Sequence, residues 1–133
     1  MMTVRTEIKP SELHGMGCFA LDKIKKGDKV WTYHPMIDSV IPKEWFDKAP
    51  KFYQDYLLFF AEYEDGYFVL CGDNGKFWNH SEKPNLGLVM NPTQEEYHVF
   101  ATCDIEAGEE LLYDYRNFKQ EKLGDGLFPV TEL

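Results

Sequence analysis

Apolar and polar positions alternate in short runs along most of this chain. In "TVRTEIKP", Val4, Thr6 and Ile8 recur every second residue, a strand pattern that breaks at Pro10. "SELHGMG" follows as a loop punctuated by two glycines, and "CFA" as a short strand. "IKKGDKVWTYH" predicts a turn at Gly27-Asp28 feeding another strand. Asp65-Gly66 separates two aromatic runs in "AEYEDGYFVLCGD" and predicts a hairpin. "YHVFATCDI", residues 97–105, reads as a further strand, and "AGEELLYDY" as a turn leading into one. Helical content is confined to residues 42–60, "PKEWFDKAPKFYQDYLLFF", which Pro42 and Pro50 divide into short pieces, the first starting just after Pro42. Many short strands with one small helical insert define a β-rich α+β domain. The closing stretch, 116–133, is poorly patterned, but Phe118, Leu127, Phe128 and Val130 predict that it packs down.

Composition sets bounds on this picture. A chain of 133 residues fits one domain, and 44% hydrophobic with 16% aromatic content belongs to a folded protein. The longest greasy run, "LLFFA" at 57–61, falls far short of the roughly 18 residues a membrane span needs. The N-terminal stretch lacks an apolar signal core, so secretion is not expected. Cys18, Cys71 and Cys103 are odd in number and lack C-x-x-C spacing, which speaks against a disulfide framework or zinc knuckle and for a reducing cytoplasm. Net charge is −9, from 23 acidic against 14 basic residues. That balance disfavours direct nucleic-acid binding and favours basic partners, although solubility alone also accounts for it.

Candidate chemistry gathers in three segments. "SELHGMGCFA" (11–20) carries Gly15-x-Gly17; "FWNHSEKPN" (77–85) sets an amide, an imidazole and a hydroxyl behind two aromatics; "GEELLYDY" (108–115) ends in paired tyrosines. Each alone reads as a tight turn, a turn or helix cap, and an alternating strand, respectively. Together, in this order, they resemble the G-x-G, N-H-S-x-x-P-N and G-E-E-L-x-Y-D-Y segments of the SET domain of protein-lysine methyltransferases. The resemblance covers roughly residues 3–116, with an insert at about 36–66, and leaves 117–133 as a C-terminal segment packing near the active site.

What the resemblance implies is specific. The fold would be the SET-domain (β-clip) arrangement of small curled sheets, with a knot-like C-terminal crossing and a short helical insert. S-adenosyl-L-methionine would bind on one face and a lysine would enter by a narrow channel from the other. His14, Gly15 and Met16 become backbone contacts to the methionine portion of the cofactor, with Gly15 and Gly17 letting the chain approach it closely. Asn79, which can donate and accept, matches the amino-acid end, and His80 the backbone contact to adenine. His80 is equally readable as a satisfied core histidine, and Tyr56 either as a residue facing the cofactor and methyl channel or as a packed aromatic. Tyr115 matches the catalytic tyrosine. Its ordinary pKa near ~10 makes it an orienting hydroxyl rather than a base.

Methyl transfer is an in-line displacement, so holding nitrogen, methyl carbon and sulfur collinear supplies much of the acceleration. The nucleophile is a neutral amine, and freeing one from lysine at pH 7 costs about 4.6 kcal/mol. A desolvating aromatic channel beside a sulfonium lowers that cost. Tyr113, two residues before the catalytic position, argues for monomethylation, with dimethylation open, because a hydroxyl there holds a water or crowds the amine; the alternative is a solvent-exposed strand tyrosine. The chain lacks the cysteine-rich flanks of larger relatives, which agrees with a metal-free protein and leaves substrate choice and channel closure open. Phe118, Phe128 or the second subunit of a homodimer are the candidates for closing the site. A histone, histone-like or ribosomal protein is the expected class of basic partner. A non-catalytic SET-fold module binding cofactor or a basic peptide is the alternative. A metal hydrolase is disfavoured because His14, His34, His80 and His98 show no ligand spacing.

Overall fold

A computed structural model describes residues 1–91 and 96–115. Ten short strands, two α-helices and one 3-10 turn (Asn74–Phe77) make up the regular structure of those residues. Strands β1 (Thr6–Pro10) and β2 (Met16–Ala20) form an antiparallel pair, with Pro10 opposite Met16. The first strand therefore ends with the proline rather than before it. An edge strand tolerates this because its outward side needs no N–H donor.

The central sheet orders β3 (Lys29–Thr32), β9 (Glu96–Ala101) and β8 (Leu86–Asn91), all antiparallel. Gly27, at φ +89°, makes the turn into β3 that Gly27-Asp28 predicts. Strand β9 stops at Ala101, short of the expected residue 105, and Ile105 instead makes an isolated bridge to Ile24.

The insert is a layer of its own. Strands β4 (Ser39–Pro42), β6 (Tyr67–Leu70) and β5 (Glu62–Glu64) form its sheet, and Asp65-Gly66 turns the β5–β6 hairpin with φ of +50° and +85°. Both residues at positive φ mark the turn whose twist matches that of paired strands. Helices α1 (Lys43–Lys48) and α2 (Lys51–Phe60) each begin directly after a proline, Pro42 and Pro50, whose φ near −58° suits a helix entry. Each then repeats one device: Lys43 pairs with Asp47 at 2.8 Å and Lys51 with Asp55 at 2.9 Å, four residues on.

Period-2 alternation in β6 welds this layer to the rest. Phe68 packs with Phe46, Leu57, Leu58 and Tyr63 in the insert's core, while its neighbour Val69 faces the main core around Trp31, Trp78, Ile105 and Leu111. The C-terminal crossing rests on two-residue strands, β7 (Asn79–His80) and β10 (Leu112–Tyr113), which lie parallel. Asn85 reinforces the join: its side chain donates to the Glu110 carbonyl at 2.9 Å and accepts from the Leu112 N–H at 2.8 Å. One amide side chain thus does the work of a strand edge and clamps segment 110–113 beside 79–85. Among the described residues, no helix is long and apolar enough to cross a membrane.

Candidate active site

Three chain segments far apart in sequence meet at one cleft of about 210 Å³. His14 and Gly15 come from the β1–β2 loop, Met16 from the start of β2, Asn79 from β7, and Tyr115 from the residues after β10. Phe59 and Phe60 at the end of α2, with Lys76, Phe77 and Trp78 from the turn before β7, complete the wall. These last five are absent from the sequence-level candidates. Phe77 and Trp78 were readable there as the aromatics ahead of Asn79, whereas nothing in the local pattern sets Phe59 and Phe60 apart from ordinary core.

The glycine loop is held by a carboxylate that motif matching passes over. Glu110 accepts from the Ser11 hydroxyl at 2.6 Å through one oxygen and from the Asn79 amide nitrogen at 2.7 Å through the other. The same Asn79 nitrogen lies 2.9 Å from the His14 carbonyl and 3.1 Å from that of Met16. Ser11 Oγ in turn accepts from the N–H groups of Leu13 and His14. The loop is thus tied at both ends through Glu110. Gly17 serves this arrangement: a Cβ there would meet Glu110 Oε2 at 2.3 Å. Its missing side chain makes room for the carboxylate, not for a ligand, which corrects the reason first assigned to it. Gly15 does fit a backbone argument, with φ at +45° and open space around its Cα.

The amide hydrogens of Asn79 point at protein acceptors, so its oxygen is what the side chain offers a ligand, and an oxygen suits an ammonium group. The carbonyls of His14 and Met16 are acceptors already engaged by the Asn79 nitrogen, and Lys76 brings a cation to the cleft wall. His14 Nε2 is buried with no partner among the described residues. Aromatic faces, a cation, an acceptor oxygen and an orphaned ring nitrogen together fit a zwitterionic ligand carrying a flat ring. S-adenosylmethionine has that chemistry.

Tyr115 lines the cleft, and its hydroxyl donates to the Trp78 carbonyl at 2.5 Å. Burial first, then the charges of Glu62 and Glu110, push its phenol well above the ordinary value of 10.0. The ring keeps its proton, gives it to Trp78, and presents only lone pairs elsewhere. Tyr113 packs beside it, with ring centroids 4.7 Å apart and the rings tilted at 52°. It is buried, which removes the reading of a solvent-exposed strand tyrosine, and its hydroxyl donates to Glu62 of the insert.

His80 lies off the cleft wall. Its Nδ1 accepts from the Tyr115 N–H at 3.0 Å, so that nitrogen carries no proton and the nearby Asp114 carboxylate, at 3.7 Å, is not an ion-pair partner in this state. The imidazole thereby props the backbone of the tyrosine, and its ring tilts against that of Tyr115 at 5.3 Å. Tyr56 sits elsewhere. It lines a separate apolar groove on the insert with Trp45, Phe52 and Tyr53, and its ring meets that of Phe60, a residue of the cleft wall, at 4.9 Å. Phe118 and Phe128 lie outside the described residues. Among the described residues, no three of His, Cys, Asp and Glu gather so as to hold a metal ion.

Comparison with known proteins gives the family of the chain. The sequence profile of the SET domain matches residues 15–116. The chain is 33% identical over 112 residues to histone-lysine N-methyltransferase CLF of Arabidopsis thaliana, covering 80% of this chain and 12% of that protein. It is 31% identical over 115 residues to the H3 lysine-4 specific histone-lysine N-methyltransferase of Schizosaccharomyces pombe, again 80% of this chain and 12% of the relative. It therefore spans about an eighth of the length of these relatives. Among solved structures, a candidate histone methyltransferase of Plasmodium falciparum superposes with a TM-score of 0.64 at 24% identity, over 86% of this chain and 95% of that one. A humanized mutant of the Chaetomium thermophilum Polycomb Repressive Complex 2 gives 0.65 at 23% identity, over 88% of this chain and 16% of that one. The three segments that meet at the cleft lie almost wholly within the matched range, and the chain belongs to the SET-domain family of protein-lysine methyltransferases.

Proposed function

We propose that this chain transfers a methyl group from S-adenosylmethionine to the ε-amine of a lysine in a basic protein, favouring monomethylation. The observation that carries this reading is the convergence of His14, Gly15, Met16, Asn79 and Tyr115 on a single cleft. When bound, S-adenosylmethionine supplies an electrophilic methyl group on a sulfonium cation. The chain's own residues bind, orient and exclude water. The Asn79 oxygen receives the ammonium end, Lys76 receives the carboxylate, and Phe59, Phe60 and Phe77 enclose the flat ring. Tyr115, its proton given to Trp78, turns lone pairs toward a polarised methyl group and so fixes its direction.

No residue of the cleft acts as general base. Tyr115 and Tyr113 both hold their protons well above neutral pH, chiefly through burial. The substrate lysine sheds its proton on leaving water for an aromatic passage beside a cation. The acidic surface, at a net charge of −9, attracts a lysine-rich segment, and relatives that methylate histones support a histone-type tail as the partner. Transfer of labelled methyl groups to purified core histones, followed by mass spectrometry, tests the reading. Tyr115→Phe is expected to lower the rate about 100-fold or more while S-adenosylmethionine uptake, read by calorimetry, stays within a few-fold. Undiminished transfer by that variant, or no uptake of the donor by folded protein, overturns it.

A further inference from the structure

We infer that the helical insert carries a self-association face, on which a second copy of this chain docks with the two α2 helices antiparallel. This association needs nothing from the chemistry of the cleft.

The insert buries one side of its helices and leaves the other bare. Phe46, Leu57 and Leu58 turn into the insert's core. On the outer side stand Trp45, Phe52, Tyr53 and Tyr56, each between 41% and 68% exposed. With Ala49 and Leu70 they line an apolar groove of about 500 Å³, and no charged side chain belongs to its described lining. At about 200 Å² for a whole aromatic side chain, the exposed parts of these four amount to roughly 450 Å². A stable pair of proteins buries about 800 Å² on each side, a little over half of it apolar. The four rings therefore supply the apolar share of such an interface, and the charged flanks of the helices lie beside them to supply the rest.

Charge decides what sits there. The chain carries −9 overall, yet residues 43–60 hold three lysines (Lys43, Lys48, Lys51) and three acids (Glu44, Asp47, Asp55), a net charge of zero. A lysine-rich partner is drawn to the acidic remainder and gains nothing from this patch. Two copies, which repel wherever their acidic surfaces meet, come together at least cost through a neutral one. The order of charges along α2 completes the fit. Lys51 precedes Asp55 by four residues, about one helical turn, and the pair lies exposed at 2.9 Å. When two α2 helices run antiparallel about a dyad level with Tyr53, position 51 of each copy falls beside position 55 of the other. Each lysine then meets a carboxylate in its own chain and another across the dyad. Parallel helices, or a dyad level with Asp55, would set like charges together.

The test follows the mass of the full chain by sedimentation velocity at low salt from about 1 to 100 µM, since interfaces of this area reach down to micromolar affinity. Wild type is expected to pass from monomer to dimer within that range. Phe52→Glu sets a charge in the groove and is expected to raise the dissociation constant about 30-fold or more. Lys51→Asp and Asp55→Lys are each expected to raise it about fivefold or more, and an equimolar mixture of the two to recover wild-type association, because opposite charges then meet across the dyad. These two exposed substitutions keep the test in force should Phe52→Glu fail to fold, and none of the three positions lines the cleft. A wild type that stays monomeric at every concentration overturns the inference, whether residues 116–133, another protein or solvent covers the face. A dimer indifferent to Phe52→Glu overturns it too, as does a mixture of the charge variants that associates no better than either alone. Each of these outcomes leaves the methyl-transfer reading untouched.

Discussion

Gly17→Ala is expected to be among the most damaging single-methyl additions in this protein, although Gly17 lies in a strand and carries no strained φ. An added Cβ would sit 2.3 Å from Glu110 Oε2, 2.8 Å from Cδ and 3.2 Å from Phe19 Cε1. Contact at that range forces something to move. A lysine tip would swing aside cheaply, but this carboxylate is anchored by Ser11 at 2.6 Å and by Asn79 at 2.7 Å. Hydrogen bonds to a charged group contribute roughly 1.5–3 kcal/mol each. Displacing Glu110 weakens two of them at once, so a loss of about 3 kcal/mol is expected. With an m-value near ~1.5 kcal/mol/M for a domain of this size, the urea midpoint followed by tryptophan fluorescence drops by about 2 M.

Two controls isolate the cause. Gly15→Ala has open space at the Cβ position, so only its φ of +45° opposes the change, at about 1 kcal/mol. Adding Gly17→Ala to Glu110→Ala is expected to cost less than about 0.5 kcal/mol further, because the obstructing carboxylate is gone. A Gly17→Ala protein within about 0.5 kcal/mol of wild type would refute the arrangement of Glu110 beneath the loop. So would full additivity with Glu110→Ala.

Other outcomes follow from the same geometry. Asn79→Asp removes the donors to His14 and Met16 and sets a second carboxylate against Glu110, so donor affinity measured by calorimetry is expected to fall at least tenfold; Asn79→Ala, which lacks the repulsion, is expected to retain more stability than Asn79→Asp. Burial raises the phenols of Tyr113 and Tyr115 above their unfolded value near 10, so folding favours the protonated rings. That contribution is fully present below pH ~10 and is lost as pH rises toward their folded values. Stability measured in the alkaline range is therefore expected to decline less steeply for Tyr113→Phe than for wild type. Burial also lifts the Cys18 thiol to about 11 and the Cys71 thiol well above its ordinary value, whereas Cys103 is exposed. A thiol reagent at pH 8 is expected to modify one cysteine rapidly in the native protein and three in denaturant.

Local signals in the chain were sufficient for several elements. Pro42 and Pro50 mark both helix starts because each stands at the N-cap, just outside the first turn, with extended ψ of 141° and 151° and no N–H that the helix would use. Asp65-Gly66 marks the hairpin because two adjacent positive φ angles are affordable only to such residues. The three motifs carry His14, Gly15, Met16, Asn79 and Tyr115 of the cleft, whereas Gly17, Tyr56, His80 and Tyr113 do not line it. Strands β4, β7 and β8 left no comparable trace. β7 is two residues long, and β8 carries Gly87, whose missing side chain leaves room for the Phe100 ring on the neighbouring strand, a requirement that no local pattern expresses.

The division has a physical basis. Backbone preferences and short periodicities act over a few residues, so turns, helix entries and the small-residue loop are written where they occur. What Glu110, Glu62 and Asn85 do depends on partners 31, 51 and 25 positions away, brought close only by the parallel join of β7 with β10 and by the insert folding back on the core. Acidic residues look alike along a chain of net charge −9. Burial against one particular amide or one particular phenol separates these few from the solvated remainder, and burial is a property of the packed molecule.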